Sequence, residues 1–213
     1  MQNIFIINGG QHFAHSGGKF NQTLTSWTKD FLEENNFSIR LTDINDDFDA
    51  NAEVENFKWA DVVIYHTPIW WFQVPNRLKK YIDEVFTAGH QNGIYASDGR
   101  SRTSPDINYG TGGLMQGKKY MVTSSWNAPA TAFTLPGEFF DETPIDEGVL
   151  FGFHKMNQFT GMERIAGFHF HDLEKNANAE RIEQYRLAYL EHLQSKLLGI
   201  NRTKDLPVAL SEL

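Results

Sequence analysis

The sequence predicts an α/β fold: a doubly wound, five-stranded parallel sheet in the order 2-1-3-4-5, with helices on both faces. Short, wholly apolar runs recur without a polar face, as expected of strands buried on both sides. Helical periodicity separates these runs, and alternation of strand and helix is the pattern of a parallel sheet. Five such runs suit the five-strand order better than the six-strand alternative.

The first strand is read at residues 4–7, an apolar run closed by Asn8, Gly9 and Gly10. A helix follows over 23–34, with Leu24, Trp27, Phe31 and Leu32 on one face. Residues 38–41 form the second strand and 62–65 the third. Pro75 suits the first turn of a helix whose apolar positions are Leu78, Tyr81, Ile82, Val85 and Phe86. The fourth strand is read at 119–123 and the fifth at 165–170. The last helix spans about 178–198, with Ile182, Tyr185, Leu190 and Leu193. Two long stretches, 90–117 and 127–146, break the rhythm, and loops of that length inside a domain are usually functional or disordered. The chain therefore reads as one domain over 1–198, followed by a tail over 199–213.

Composition narrows the functions. Nineteen Lys and Arg stand against 27 Asp and Glu in 213 residues, a net charge of −8. That balance argues against a nucleic-acid binder, which needs a basic stripe. The absence of cysteine excludes disulfide scaffolds, thiolate nucleophiles and iron–sulfur clusters. Residues 1–10 carry neither a basic region nor a long apolar core, so no signal peptide is expected. No run is long enough to span a membrane, and a cytoplasmic protein is expected.

In such a sheet the ligand crevice lies beyond the carboxyl ends of the strands, where the strand order reverses. The segments after strands one, three and four should meet there. The first contains Ser16, Gly17, Gly18, Lys19, Phe20, Asn21, Gln22 and Thr23. Its glycines admit close approach of an anion to the backbone, and the following helix points its positive end at the loop. The plainer reading is an ordinary connection with Asn21 as a helix cap. The second segment holds Ile69, Trp70, Trp71 and Phe72, an apolar turn that calls for a flat covering group or burial in a core or interface. The third holds Ser125, Trp126, Asn127 and Ala128. Aromatics beside a phosphate cradle suit a ligand with a ring system at one end and phosphate at the other, as in a flavin nucleotide.

Other constellations are weaker. His12, His15, His169 and His171 lack a convergent third ligand type, so no metal is expected. There is no GxSxG elbow for a serine hydrolase. Asp146, Glu147 and His154 read as solvated or structural. Arg100, Arg102, Lys118 and Lys119 form the basic cluster nearest the expected mouth, available to a 2′-phosphate or simply solvated.

Taken together, HSGGKFNQTL (15–24), TPIWWF (67–72), PNRLKKYIDEVF (75–86), YASDGR (95–100), YGTGGLMQGKKYM (109–121) and SSWNAP (124–129) resemble the modulator-of-drug-activity-B family, NAD(P)H:quinone oxidoreductases of flavodoxin-like fold. The resemblance runs from Ile4 to about Leu198. It implies a homodimeric flavoprotein holding FAD, ahead of FMN, and reducing quinones by two electrons from NADPH or NADH. It assigns Ser16–Thr23 to the pyrophosphate and adenosine, Ile69–Phe72 to the flavin ring, and Ser125–Ala128 to the far side of the ring pocket. Tyr109 would join them, from the same chain or its partner, with Gly110, Gly112 and Gly113 as a close-approach segment. Ile69 and Ser125 depart from the family pattern, where glycine and threonine are usual. A ping-pong scheme follows if donor and acceptor share one open face; no catalytic acid or base is assigned. The competing expectation is a non-catalytic electron carrier or regulatory flavin-binding module of the same fold.

Overall fold

The computed structural model describes residues 2–14, 16–175 and 177–199. His15 and residues 200–213, the bulk of the expected tail, lie outside the described residues. The order of elements is β1 (Asn3–Asn8), α1 (Lys19–Glu34), β2 (Ser38–Asp43), α2 (Ala50–Trp59), β3 (Val62–Pro68), α3 (Asn76–Ala88), β4 (Lys119–Ser125), α4 (Thr131–Thr134), α5 (Phe151–Phe159), β5 (Glu163–Arg164), β6 (Phe168–Phe170) and α6 (Ala179–Leu193), which continues as a π-helical turn, Gln194–Leu198. The sheet is parallel in the order β2-β1-β3-β4-β5, with β6 also pairing with β4.

The expected topology holds, and four details differ. The fifth strand, read at 165–170, is two short segments parted by residues 165–167, and at Gly167 a Cβ would come within 2.1 Å of the Val122 carbonyl oxygen. Residue 167 thus lies too close to β4 to carry a side chain. The helix expected at 23–34 starts at Lys19, because Gly18 caps it in a left-handed conformation with φ 65°. Asn21 is therefore inside the helix and is not its cap. Helix α2, absent from the sequence reading, fully buries only Val54 and Phe57 among its apolar residues, and Asp49 caps it by accepting from the Ala52 N–H at 2.8 Å. Helix α5 was equally unforeseen, and α4 interrupts the loop read at 127–146.

The sheet divides the core in two. Phe5, Ile7, Val63, Tyr65, Tyr120 and Val122 face α2, α3 and α5. Ile4, Ile6, Val62, Ile64 and Met121 face α1 and α6. This alternation of buried residues toward both faces accounts for strands without a polar side. No helix among the described residues is long and apolar enough to cross a membrane.

Candidate functional site

The three segments expected to meet do so beyond β1, β3 and β4. The Gly9 N–H donates to the His66 carbonyl at 2.6 Å, and the Ile69 N–H to the Ser125 carbonyl at 3.0 Å. The Ser125 hydroxyl donates to Asn21 Oδ1 at 3.1 Å. One hydrogen bond thus links the third segment to the first.

The loop after β1 is tied down on both flanks. Asn45, from the β2–α2 turn, accepts from the His12 N–H at 3.0 Å and donates through Nδ2 to the Gly10 carbonyl at 3.0 Å. Asp43 holds Asn45 Nδ2 at 2.7 Å and receives the Asn8 amide at 2.8 Å. On the other flank, Gln11 Oε1 accepts from the Arg77 N–H at 3.0 Å. The Arg77 guanidinium donates to the carbonyls of Ile44, Asn45 and Asp46. Past His12, Phe13 and Ser16 exchange backbone hydrogen bonds at 3.0 and 2.8 Å.

The loop ends at a helix terminus open to an anion. No side chain caps α1, and no acidic residue occupies its first turn. The N–H groups of Gly18 to Asn21 therefore have no partner within the helix. The Asn21 side-chain amide nitrogen is buried without a hydrogen-bond partner, although buried polar groups are nearly always paired. Lys19 is exposed beside it.

The turn after β3 is built differently. Trp70 and Gln73 exchange backbone hydrogen bonds at 2.9 and 3.0 Å, closing a two-residue turn. Its central residues, Trp71 and Phe72, have φ of 49° and 61°. Positive φ at both central positions is the signature of a type I′ turn, normally Asn-Gly, and bulky side chains there are strained. Trp71 is 93% exposed. Trp70 packs on Phe13 of the first loop with ring centroids 5.8 Å apart.

Three further expected contributors are Trp126, Asn127 and Tyr109. Trp126 is only 4% exposed and belongs to the core. Its indole packs on Phe133 at 5.0 Å and donates to the Ser124 hydroxyl at 2.7 Å, so it backs the site and offers no open stacking surface. Asn127 is exposed, with its amide on Glu174 at 2.5 Å. Tyr109 is 71% exposed beside Arg100 and Phe159, lining a groove of about 650 Å³ between α3 and α5. Gly112 and Gly113 do mark close approach, but to Ser97 and Thr160 of their own chain. The basic cluster also divides: Lys118 directly precedes β4 and Lys119 begins it, at the opposite end of the strands, where Lys118 Nζ donates to the carbonyls of Lys58 and Ala60. Arg100 pairs with Asp98 at 2.7 Å.

Two buried polar networks underlie the site. His66 of β3 is fully buried, its ring nitrogens 3.0 Å from the Thr28 hydroxyl and 2.6 Å from that of Thr123. Burial lowers its pKa from 6.5 to about 3, so the ring is neutral. Below Trp126, His169 Nδ1 meets the Ser124 hydroxyl at 2.7 Å. Asp146 contacts His154 Nε2 at 2.9 Å and His169 Nε2 at 3.5 Å. Burial pushes the Asp146 carboxyl up, but hydrogen bonds from both imidazoles outweigh it and hold the group well below its usual range. Of the three residues expected to be solvated or structural, His154 is buried and Asp146 half-buried in this brace, while Glu147 is exposed beside Arg164. Among the described residues no group of three or more His, Cys, Asp or Glu side chains is arranged to hold a metal.

The chain matches the flavodoxin-like fold family over residues 2–193. It is 44% identical to the NADPH:quinone oxidoreductase MdaB of Haemophilus influenzae, across 92% of this chain and 100% of that protein. An uncharacterized Schizosaccharomyces pombe protein is 46% identical across 89% of this chain and 94% of its own length. Among solved structures, a protein assigned as a quinone reductase from Klebsiella pneumoniae superposes with a TM-score of 0.71 at 22% identity, covering 92% of this chain and 85% of that one. General stress protein 14 of Treponema denticola, solved in complex with FMN, gives 0.61 at 22% identity over 91% and 100%. At those identities the two structures speak to fold alone.

Proposed function

Because the chain belongs to the flavodoxin-like family that includes the MdaB quinone oxidoreductases, we propose that it is a flavoprotein that reduces quinones with electrons from NADPH or NADH. The observation that carries this reading is the pairing, at one sheet edge, of an uncapped helix N-terminus with an aromatic turn.

The residues present fit a flavin nucleotide. A Cβ at residue 18 would sit 2.7 Å from the Gly10 carbonyl oxygen, so the loop keeps its backbone bare where a phosphate would approach. The partnerless Asn21 amide supplies a buried donor beside the free N–H groups. Ser16 to Asn21 would hold phosphate, with Gln22 and Thr23 extending a polar surface along α1 toward the adenosine of FAD. Ile69 to Phe72 would support the ring, with Ser125 holding Asn21 in place and Asn127 and Ala128 beyond it. A bound flavin supplies the redox chemistry, relaying two electrons and a proton as hydride from nicotinamide to quinone.

The protein's part is to bind, orient and exclude. With one side of the ring against the protein, donor and acceptor would occupy the remaining open side in turn, a ping-pong scheme. Parallel initial-velocity lines are expected, and intersecting lines would contradict it. The α3–α5 groove, lined by Ile82, Phe86, Phe153, Met156 and Phe159, supports a homodimer in which a second copy covers it and brings Tyr109 to the shared site. Dependence on reduced nicotinamide argues for the cytoplasm.

The test is the absorbance spectrum of the purified protein, identification of the flavin released on denaturation, and menadione-dependent oxidation of NADPH and NADH. FAD at about one per chain with rapid turnover is expected. FMN, named for the Treponema structure, would correct the cofactor alone. Bound flavin with negligible turnover would leave an electron carrier. A colourless protein that takes up neither flavin would overturn the reading.

A further inference from the structure

We propose that Phe139 selects the electron acceptor: stacked on Phe72, it forms an aromatic wall favouring planar, uncharged, fused-ring quinones. This rests on the quinone-reductase reading above. Phe139 lies in the 127–146 segment and is 73% exposed, yet it stacks on Phe72 with centroids 5.4 Å apart and planes 20° from parallel. The next residue anchors it. Phe140 meets both rings edge-on, at 5.0 Å from Phe139 and 5.8 Å from Phe72. It also stacks on core residue Phe133 at 4.0 Å and 10°.

The backbone holds this arrangement at some expense. Asp141 and Glu142, directly after the two phenylalanines, have φ of 50° and 58° and form the centre of a turn closed by the Thr143 N–H on the Phe140 carbonyl at 2.9 Å. The strained turn after β3 thus presents Phe72, and Phe139 meets it from the segment that leads into the second strained turn. An exposed aromatic face kept in place by strained backbone is better suited to a flat ligand than to stability. Charge sharpens the choice: Glu138, Asp141 and Glu142 are exposed around the rings, and residues 127–146 contain no Lys, Arg or His. That negative field disfavours anionic acceptors.

The experiment compares flavin-loaded wild type with Phe139→Ala and Phe139→Trp on menadione, 1,4-benzoquinone and 1,2-naphthoquinone-4-sulfonate. An aromatic pair of ordinary strength predicts that Phe139→Ala raises the menadione KM about 3- to 10-fold. Benzoquinone KM and kcat should stay within about twofold, and Phe139→Trp should restore menadione. Glu138→Gln combined with Asp141→Asn should lower the KM for the sulfonate alone. In flavin-free protein, menadione quenching of tryptophan fluorescence should weaken by the same factor in Phe139→Ala. Equal changes for one-ring and two-ring quinones, or no change, overturn the proposal. So does altered assembly mass with unchanged selectivity, which assigns Phe139 to an interface between copies. If the protein binds no flavin, the quinone-reductase reading fails separately, and the quenching titration still decides whether the stacked pair binds fused rings.

Discussion

The loop after β1 and the turn after β3 stand side by side and are built on opposite plans. The first is tied by Asn45, Gln11 and Arg77 at nearly every residue from Gly10 to His12; the left-handed residue that caps α1 is a glycine, and Ala14, with φ of 48°, lies beyond the tied residues. The second is closed by two backbone hydrogen bonds and forces Trp71 and Phe72 into left-handed conformations. An anion is recognised by N–H groups whose positions must not drift, so that loop is braced. A ring is recognised by exposed faces, so the turn keeps aromatic side chains where Asn-Gly would be more stable. Substitutions in the two should therefore have opposite effects on stability.

The largest effect should come from Gly18→Ala. A left-handed alanine costs about 1–2 kcal/mol, and its Cβ would also press on the Gly10 carbonyl oxygen at 2.7 Å. We expect a loss of about 2–3 kcal/mol in urea unfolding of the flavin-free protein, and no retained flavin. Normal flavin content in this variant would show that the uncapped terminus is not the phosphate site.

Next is acid. His66 has a folded pKa of about 3 against an ordinary 6.5, so the unfolded chain binds the proton first. Stability is complete above pH 6.5 and falls by about 1.4 kcal/mol per pH unit below it. His171 and His192, also lowered by burial, add smaller slopes of the same sign. Asp146 is depressed, so its contribution is present above 3.8 and lost only in stronger acid. Because the His66 carbonyl receives Gly9 and its ring braces α1 through Thr28, flavin should be released before global unfolding. Unfolding at pH 5 and pH 7 checks this: His66→Gln should flatten most of the difference, and an unchanged slope would refute it.

Asn45→Ala removes an acceptor for His12 and a donor to Gly10. It should weaken flavin binding about tenfold at about 1–2 kcal/mol of stability, leaving the menadione KM of flavin-saturated enzyme unchanged. Equal losses in both would mean that the two regions are not independent.

The strands and their order were legible because a strand buried on both faces leaves an uninterrupted apolar run, as in Val62 to Tyr65. The break in the last strand was not, since it depends on how closely residue 167 approaches Val122. Helix α2 was not legible because its buried face mixes Val54 and Phe57 with a buried carboxylate, Glu53. At the site, the meeting of Ser16–Asn21 with Ile69–Phe72 followed from topology. The burial of Trp126 did not, because an indole next to an apolar strand reads equally well as core or as platform. Asn45 carried a signal, the Asp-Ile-Asn-Asp turn, but its partners Gly10 and His12 are more than 30 residues away. The Trp71–Phe72 turn was least legible, since its conformation contradicts the residues that adopt it.

That contradiction yields the smallest and most discriminating effect. Trp71 is almost wholly exposed, so replacing it removes little packing, whereas asparagine tolerates the left-handed region. Trp71→Asn should therefore raise the stability of the flavin-free protein by about 0.5–1 kcal/mol. In a chain of this size that is an increase of roughly 1–4 °C in Tm. The same change should weaken flavin binding or turnover, because the exposed ring face is gone. A stabilised but impaired variant would establish that the strain serves ligand recognition. A destabilised one would mean that Trp71 is covered in the assembled protein, by a second copy over the α3–α5 side or by another part of this chain, and the contrast between braced loop and strained turn would then be one between two packed surfaces.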